Sequence, residues 1–392
     1  MATDKNGPVG EQTAEYSLLT LVAAKKILDC VGSGGVGKTT TSAALGLLAA
    51  RIRRQTLVMT IDPARRLATA LGLAGLDHNQ REVPAEKQAA AGLAPGQFFA
   101  MMLDPKQTFD AFVRRYAPDD ATVERVLRSN IYQQISTRLA GSQEYAAMEM
   151  LHQIWQTGTY DLLVLDTPPV AHAVDFLEAP QKMVNAVQSP AVAMFIKAYE
   201  QTGRLSLNVL SQGVSYVVKR LSHFTGRGFL DDIAGFLTDL SGLLGTMQQR
   251  ADTVNRMMHR KDVGFLVITG PDPRSIDEAI GFHDLLRESG RKPAGFIINK
   301  VHALAQGVDD QATLERLIGP AAGDLSPEHL QELASAVLDS HRRVQAMAEV
   351  DAAEISRLQD HCGHELPYVR VPLFDEDIFD IAGLVKLGDY LV

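Results

Sequence analysis

Cysteine is scarce in this chain. Cys30 and Cys362 are the only two among 392 residues, too few and too differently placed for a disulfide framework or a C-x-x-C metal site, so a reducing compartment fits best. Basic excess is missing as well: 38 Lys and Arg face 47 Asp and Glu, a formal net charge of −9. A general nucleic-acid binder needs a basic surface to neutralise phosphates, and that class is excluded. No run is both long enough and uncharged enough to span a bilayer. The first twenty residues carry Asp4, Lys5, Gly7, Pro8, Glu11 and Glu15 and lack an apolar segment of leader length. Residues 1–20 therefore read as a flexible tail, and the protein as cytoplasmic. Internal repeats and low-complexity tracts are also absent. What remains is 46% hydrophobic and 22% charged, the composition of an ordinary globular protein with ample chain for a core.

The most informative segment lies near the start. Gly32-Ser33-Gly34-Gly35-Val36-Gly37-Lys38-Thr39 meets every position of G-x-x-x-x-G-K-[ST], the phosphate-binding loop. Residues 26–31 before it read as a short buried strand, and residues 40–54 after it have the Ala/Leu-rich period of a helix. In that context the glycines let the backbone curl so that successive N–H groups point at phosphate oxygens, and the helix N-terminus adds its positive dipole end. Lys38 can then reach the β- and γ-phosphates while the Thr39 hydroxyl holds Mg²⁺. The chain is expected to bind a nucleoside triphosphate through Gly32, Ser33, Gly34, Gly35, Val36, Gly37, Lys38, Thr39 and Thr40.

Apolar strand runs recur at 55–61, 96–103, 160–166, 263–269, 294–299 and 368–371, separated by helical patterns. Such runs predict a doubly wound, mainly parallel α/β sheet covered on both faces, with ligands beyond the strand C-termini. The loop, Asp62, Asp166 and Asn299 all fall at that edge. Residues 181–261 break the alternation: Ile233, Phe236, Leu237, Leu240, Leu243, Leu244 and Met247 recur at helical spacing, as do Leu210, Val214, Val217, Val218 and Leu221. The reading is one P-loop domain over 21–392 with an inserted helical subdomain formed mainly by 181–261 and partly by 104–156.

Asp166, preceded by Leu-Leu-Val-Leu, is the expected acidic partner of the loop and would hold Mg²⁺ through water. Asp62 either orients the water that attacks the γ-phosphate or caps the helix that Pro63 opens, and the residues alone leave both open. Asn299-Lys300-Val301-His302 begins like the guanine-reading N-K-x-D motif but has His302 in place of the aspartate. Nothing there accepts the guanine N1 and N2 hydrogens, whereas the Asn299 amide can still bond an adenine edge, so ATP is favoured over GTP.

Together these motifs resemble the ArsA-type anion-transporting ATPases, a family that includes arsenite-pump ATPases and the targeting factors for tail-anchored membrane proteins. The loop through Thr40 is similar to the family's loop. Asp62-Pro63-Ala64, with Leu67, resembles its first switch, which implies that Asp62 activates the attacking water. The segment from Asp166 to Leu177 resembles the second switch, D-T-x-P-x-G-H-x-x-R-x-L. Val371-Pro372-Leu373-Phe374-Asp375-Glu376-Asp377 resembles the loop that packs on adenine, which brings Pro372, Leu373 and Phe374 to the base beside Asn299. The resemblance implies an ATP hydrolase that works as a nucleotide-gated dimer with a moving helical cap.

Three departures qualify that likeness. Ser33 stands where the family's loop carries a second lysine that crosses to the other subunit's phosphates. Ala171 and Asp175 replace the glycine and arginine of the second switch. The arsenite-binding cysteines and the dimer-stapling C-x-x-C have no counterpart, and His361-Cys362-Gly363-His364 reads as a structural loop rather than a metal cluster. Residues 181–230 hold Lys182, Lys197, Arg204, Lys219, Arg220 and Arg227 against Glu200 alone, and basic charge beside apolar helices suits a membrane surface or a hydrophobic client. Met183, Met194, Met247, Met257 and Met258 either line an adaptable groove or belong to the cap's own core. The preferred reading is a Mg²⁺-dependent ATPase, cytoplasmic or peripheral at the membrane, acting on a hydrophobic partner. It forms a homodimer, or a heterodimer with a lysine-bearing paralogue. A weakly hydrolysing subunit of such a heterodimer and the ATPase subunit of an anion pump are the alternatives.

Overall fold

The computed structural model describes residues 17–61, 66–138, 142–167, 185, 227–303, 310–321, 323 and 326–392. Eight strands form one sheet: β1 (Ile27–Gly32), β2 (Thr56–Thr60), β3 (Arg81–Glu82), β4 (Phe98–Met102), β5 (Leu162–Asp166), β6 (Val263–Thr269), β7 (Pro293–Val301) and β8 (Tyr368–Pro372). Their order is β3-β4-β2-β5-β1-β6-β7-β8. Every neighbouring pair is parallel except β3 with β4. β1, β2, β5 and β6 are buried at every residue, which is why their sequences are continuous apolar runs and not alternating ones. Along β1 the side chains alternate between faces: Ile27 and Val31 enter one core cluster, Leu28 and Cys30 the other.

The face of Leu28 is covered by α1 (Leu18–Ala24), α2 (Lys38–Arg51), α3 (Arg66–Ala70) and the C-terminal helix, with α4 (Ala85–Ala90) alongside. Leu18 and Val22 are buried there, so the expected tail over 1–20 is already helix and core at its last three residues. On the opposite face lie α5 (Pro105–Tyr116), α6 (Asp120–Arg128), α7 (Asn130–Arg138), α8 (Ser142–Thr157) and α9 (Arg227–Met258). Arg250 of α9 meets the buried Glu149 of α8 at 2.6 Å, fastening the stretches on either side of β5. Met247, Met257 and Met258 are buried in this core, so these three form no open groove. Leu210 to Leu221, Met183, Met194 and most of the basic segment lie outside the described residues.

α10 (Pro273–Glu288), α11 (Gln311–Ile318), α12 (Pro327–Cys362) and α13 (Ile381–Asp389) complete the helices used below. α10 and α12 open with Asp272-Pro273 and Ser326-Pro327, in which the capping side chain accepts an amide of the first turn and proline occupies a position needing no N–H. None of the described helices is long and apolar enough to cross a membrane.

The switch from leftward to rightward strand growth occurs at β1, between β5 and β6, and this is where open parallel sheets bind ligands. Two features hold that point. Gly32 ends β1 so close to β6 that an added Cβ would lie 1.8 Å from the Ile268 carbonyl oxygen, leaving no room for a side chain. Three residues earlier, Asp29 is fully buried, and neither carboxylate oxygen has a hydrogen-bond partner.

Burial raises the Asp29 pKa to about 8, with Arg291 pulling it down and Asp166 pushing it further up. An unfolded aspartate titrates near 4. The stability contribution of protonated Asp29 is thus complete below about pH 4 and is lost as pH rises through about 8. We expect Asp29→Asn, which cannot ionise, to lose less stability than the wild type across this window in urea titrations. Parallel losses in the two proteins would show that Asp29 does not titrate there.

Candidate nucleotide site

The loop between β1 and α2 is built from backbone first. Gly37, the residue that caps α2, has φ 94° and no capping side chain, and the first turn holds no acidic residue. The first turn of this 14-residue helix therefore sets no carboxylate of its own against its N–H groups. A Cβ at Gly37 would lie 2.4 Å from Asn299 Nδ2, so the β7 side chain packs directly on the loop.

Three side chains strap the loop. Lys38 is buried and its Nζ donates to the Ser33 carbonyl at 2.7 Å. Asn299 Nδ2 donates to Val36 O at 2.8 Å, and Lys300 Nζ to Gly35 O at 2.9 Å. Lys300 holds φ 66°, uncommon for a residue with a side chain, where the β7–β8 register shifts between Ile298 and Val301. That irregularity at the strand end turns two consecutive side chains toward one loop.

Asp166 ends β5 beside β1 and β2, opposite Cys30 and Thr60. It is buried, and its Oδ2 accepts from Thr60 Oγ1 at 2.8 Å. The next residue, Thr167, donates from Oγ1 to Cys30 O at 2.7 Å, fixing the exit of β5 against the entry to the loop. Cys30 itself is sealed in the core, where burial pushes its thiol well above the usual range, so it is no reactive thiolate.

A cavity of about 950 Å³ opens at this edge, a volume suited to a nucleotide-sized ligand. Gly34, Gly35, Gly37, Lys38, Thr39, Thr40 and Asp166 line one side, and Asn299, Pro372, Leu373 and Phe374 the other. Gly32, Ser33 and Val36 are not on its wall. Gly32 is pressed on β6, Ser33 is buried, and Val36 inserts its side chain into the core while offering its carbonyl to Asn299. Phe374 is held edge-on by Tyr390 with ring centroids 5.5 Å apart, and Lys386 Nζ lies 4.9 Å from its ring centre. His302 turns away to Asp351, its Nδ1 2.9 Å from Oδ2.

The wall also includes Arg66, Thr69, Gln143, Lys300, Glu376 and Phe379, which sequence reasoning missed as site residues. Lys300 was in view as the second residue of the Asn299-Lys300 pair; Gln143 had no signal, because it arrives on a helix far from any motif. Asp62, Pro63 and Ala64 lie outside the described residues, as do 168–177 of the second-switch segment.

The model of the anion-transporting ATPase family, ArsA, matches residues 25–316. The chain belongs to this family. It is similar to the ATPase get3 of Aspergillus terreus, 29% identical over 177 residues that cover 44% of this chain and 49% of that protein. The ATPase GET3 of Chaetomium globosum is 27% identical over 157 residues, 40% of this chain and 43% of that protein. The Podospora anserina ATPase GET3 is 27% identical over 158 residues, with the same coverage of 40% and 43%. The chain spans about half the length of the curated relatives it matches. For an ArsA family member, the eight-stranded, mainly parallel α/β sheet and the position of the loop at the end of β1 are as the motifs led us to expect.

Lys300 offers a separable test, since its backbone and its charge do different things. Replacing it by glycine relieves a left-handed residue, so Lys300→Gly is expected to melt within about 1 kcal/mol of the wild type. Loss of the ammonium from the cavity wall should nevertheless weaken ATP binding by roughly tenfold in calorimetry. Unchanged affinity would reduce Lys300 to a strap for Gly35.

Proposed function

We propose that this chain is a Mg²⁺-dependent ATP hydrolase of the ArsA type whose nucleotide cycle switches a dimer and its helical cap on a hydrophobic or membrane-associated partner. The observation that carries this reading is the convergence on one cavity of the open N-terminus of α2, Lys38, Thr39 and Asp166 with Asn299 and Phe374. In this reading the loop amides and Lys38 bind the triphosphate and neutralise charge as it develops. Thr39 and Asp166 hold Mg²⁺, which supplies further neutralising charge at the phosphate oxygens. Asp62 orients the attacking water. Phe374 packs on the base, and the second N–H of the Asn299 amide, beyond the one given to Val36, reads its edge.

Gln143 supports the coupling to the cap, because it carries α8, one of the helices packed with α9, to the cavity wall. The whole-protein activity, the dimer, the client and a cytoplasmic or membrane-peripheral location are parts of the proposal. A second reading, a weakly hydrolysing subunit that depends on a lysine-bearing paralogue, is favoured by Ser33: it is short, neutral and buried, and its carbonyl is taken by Lys38.

One set of assays separates these possibilities. Lys38→Ala and Asp166→Ala should abolish phosphate release. Asp62→Asn should bind ATP with wild-type affinity yet release phosphate at least about 100-fold more slowly, the scale of losing a general base. Wild-type turnover by Asp62→Asn would remove it from the chemistry. Stimulation of the wild type by a lysine-bearing paralogue would support the dependent subunit, and robust turnover alone, unchanged by such a partner, the independent enzyme.

A further inference from the structure

Away from the nucleotide cavity, two helices bring three metal-ligating side chains together. His283 and Asp284 stand on α10 and His361 on the last turn of α12. His283 Nδ1 lies 2.9 Å from Asp284 Oδ1, and His361 Nε2 lies 3.0 Å from Asp284 Oδ2. One ligand atom from each residue falls within 4.8 Å of the other two. We propose that His283, Asp284 and His361 form a binding site for a transition-metal ion of the zinc class, with a fourth position open to water.

The donor set decides the class of ion. Two imidazoles and one carboxylate suit Zn²⁺, Co²⁺ or Ni²⁺, whereas Mg²⁺ and Ca²⁺ demand oxygen. Two ligands about 2.0–2.1 Å from a tetrahedral zinc stand about 3.3 Å apart. Asp284 Oδ1, 2.9 Å from His283 Nδ1 and 3.1 Å from His361 Nε2, must open by a few tenths of an ångström, and the two imidazoles, whose ligand atoms lie within 4.8 Å of each other, must come to the same spacing. At present each histidine is hydrogen-bonded to the carboxylate, and a metal would replace those shared protons. For that the two rings must carry their remaining protons on His283 Nε2 and His361 Nδ1.

The supports are rigid. His283 is buried, with its ring centre 6.4 Å from that of Phe296 in β7, and Phe296 stacks on Tyr368 of β8 at 5.0 Å. The α10–α12 contact is also pinned by Arg357, which reaches Asp277 at 2.8 Å. Asp284 and His361 are about half exposed, which gives an ion a way in. An ion here would staple α12 to α10 behind β7 and β8, the two strands that carry Asn299 and Pro372.

The set differs from the run His361-Cys362-Gly363-His364. His361 and Cys362 finish α12 and Gly363 caps it. His364 pairs instead with Asp360. Cys362 contributes no ligand atom to the group, which among the described residues consists of His283, Asp284 and His361. The site therefore joins residues separated by 77 positions in the chain.

The test uses the full chain, stripped with chelator and then titrated with Co²⁺ while excess Mg²⁺ occupies any oxygen site. One Co²⁺ per chain should bind with the visible absorption of a low-coordinate ion, Zn²⁺ should displace it, and Zn²⁺ should raise the melting temperature. His361→Ala and Asp284→Asn, both at exposed positions, should each weaken binding by at least about tenfold and abolish the melting shift. His364→Ala should bind as the wild type does. Absence of stoichiometric Co²⁺ binding, binding that survives both substitutions, or equal loss in His364→Ala would overturn the proposal and leave a pair of histidine–aspartate hydrogen bonds.

Discussion

The close approach of β1 to β6 at Gly32 is the constraint on which the site depends. With 1.8 Å between a hypothetical Cβ and the Ile268 carbonyl oxygen, the chain can leave the sheet at this point only as glycine. That fixes where the loop begins, and the positive φ of Gly37 fixes where α2 takes over. Between them the loop has little freedom, and Asn299, Lys300 and Lys38 remove more of it by bonding three of its carbonyls. Donors aimed at a polyanion are most effective when already in place, because nothing must reorganise when charge develops. The loop of this chain is strapped from two sides before any ligand arrives.

The second wall comes from the other end of the sequence. β8 is an edge strand, and Leu373 N donates to Val301 O just beyond its end, at 2.9 Å. The segment Pro372 to Phe374 is thereby carried to the same sheet edge as the loop. Tyr390 and Lys386 of α13 and the segment after it steady the Phe374 ring. Parallel topology thus does the assembling, since each of the seven strands from β4 to β8 in the sheet order delivers its C-terminal residue to one side.

Much of this was legible in the sequence. Buried parallel strands are continuous apolar runs, and those at 26–31, 55–61, 96–103, 160–166, 263–269, 294–299 and 368–371 all correspond to strands of the sheet. β3 leaves no such run, because Arg81 and Glu82 are two exposed polar residues that become a strand only against β4. α12 has no clean helical period in the sequence, because its buried positions thin out between Leu338 and Ala348 while exposed Val344 and Met347 blur the pattern. In the site, motif residues were found because chemistry constrains their type and spacing. Gln143 reaches the cavity through packing of a distant element, and His283 meets His361 through a helix contact. Neither relation leaves a periodic mark on the chain.

The central claim is that a nucleotide seats between the loop and the C-terminal segment, and hydrogen exchange measures it most directly. Backbone amides over 33–41 should become protected when MgATP is added, together with those around 299–301 and 372–379, and MgGTP should protect the last two regions less. Protection confined to other parts of the chain, or none over 33–41 at saturating MgATP, would contradict the account.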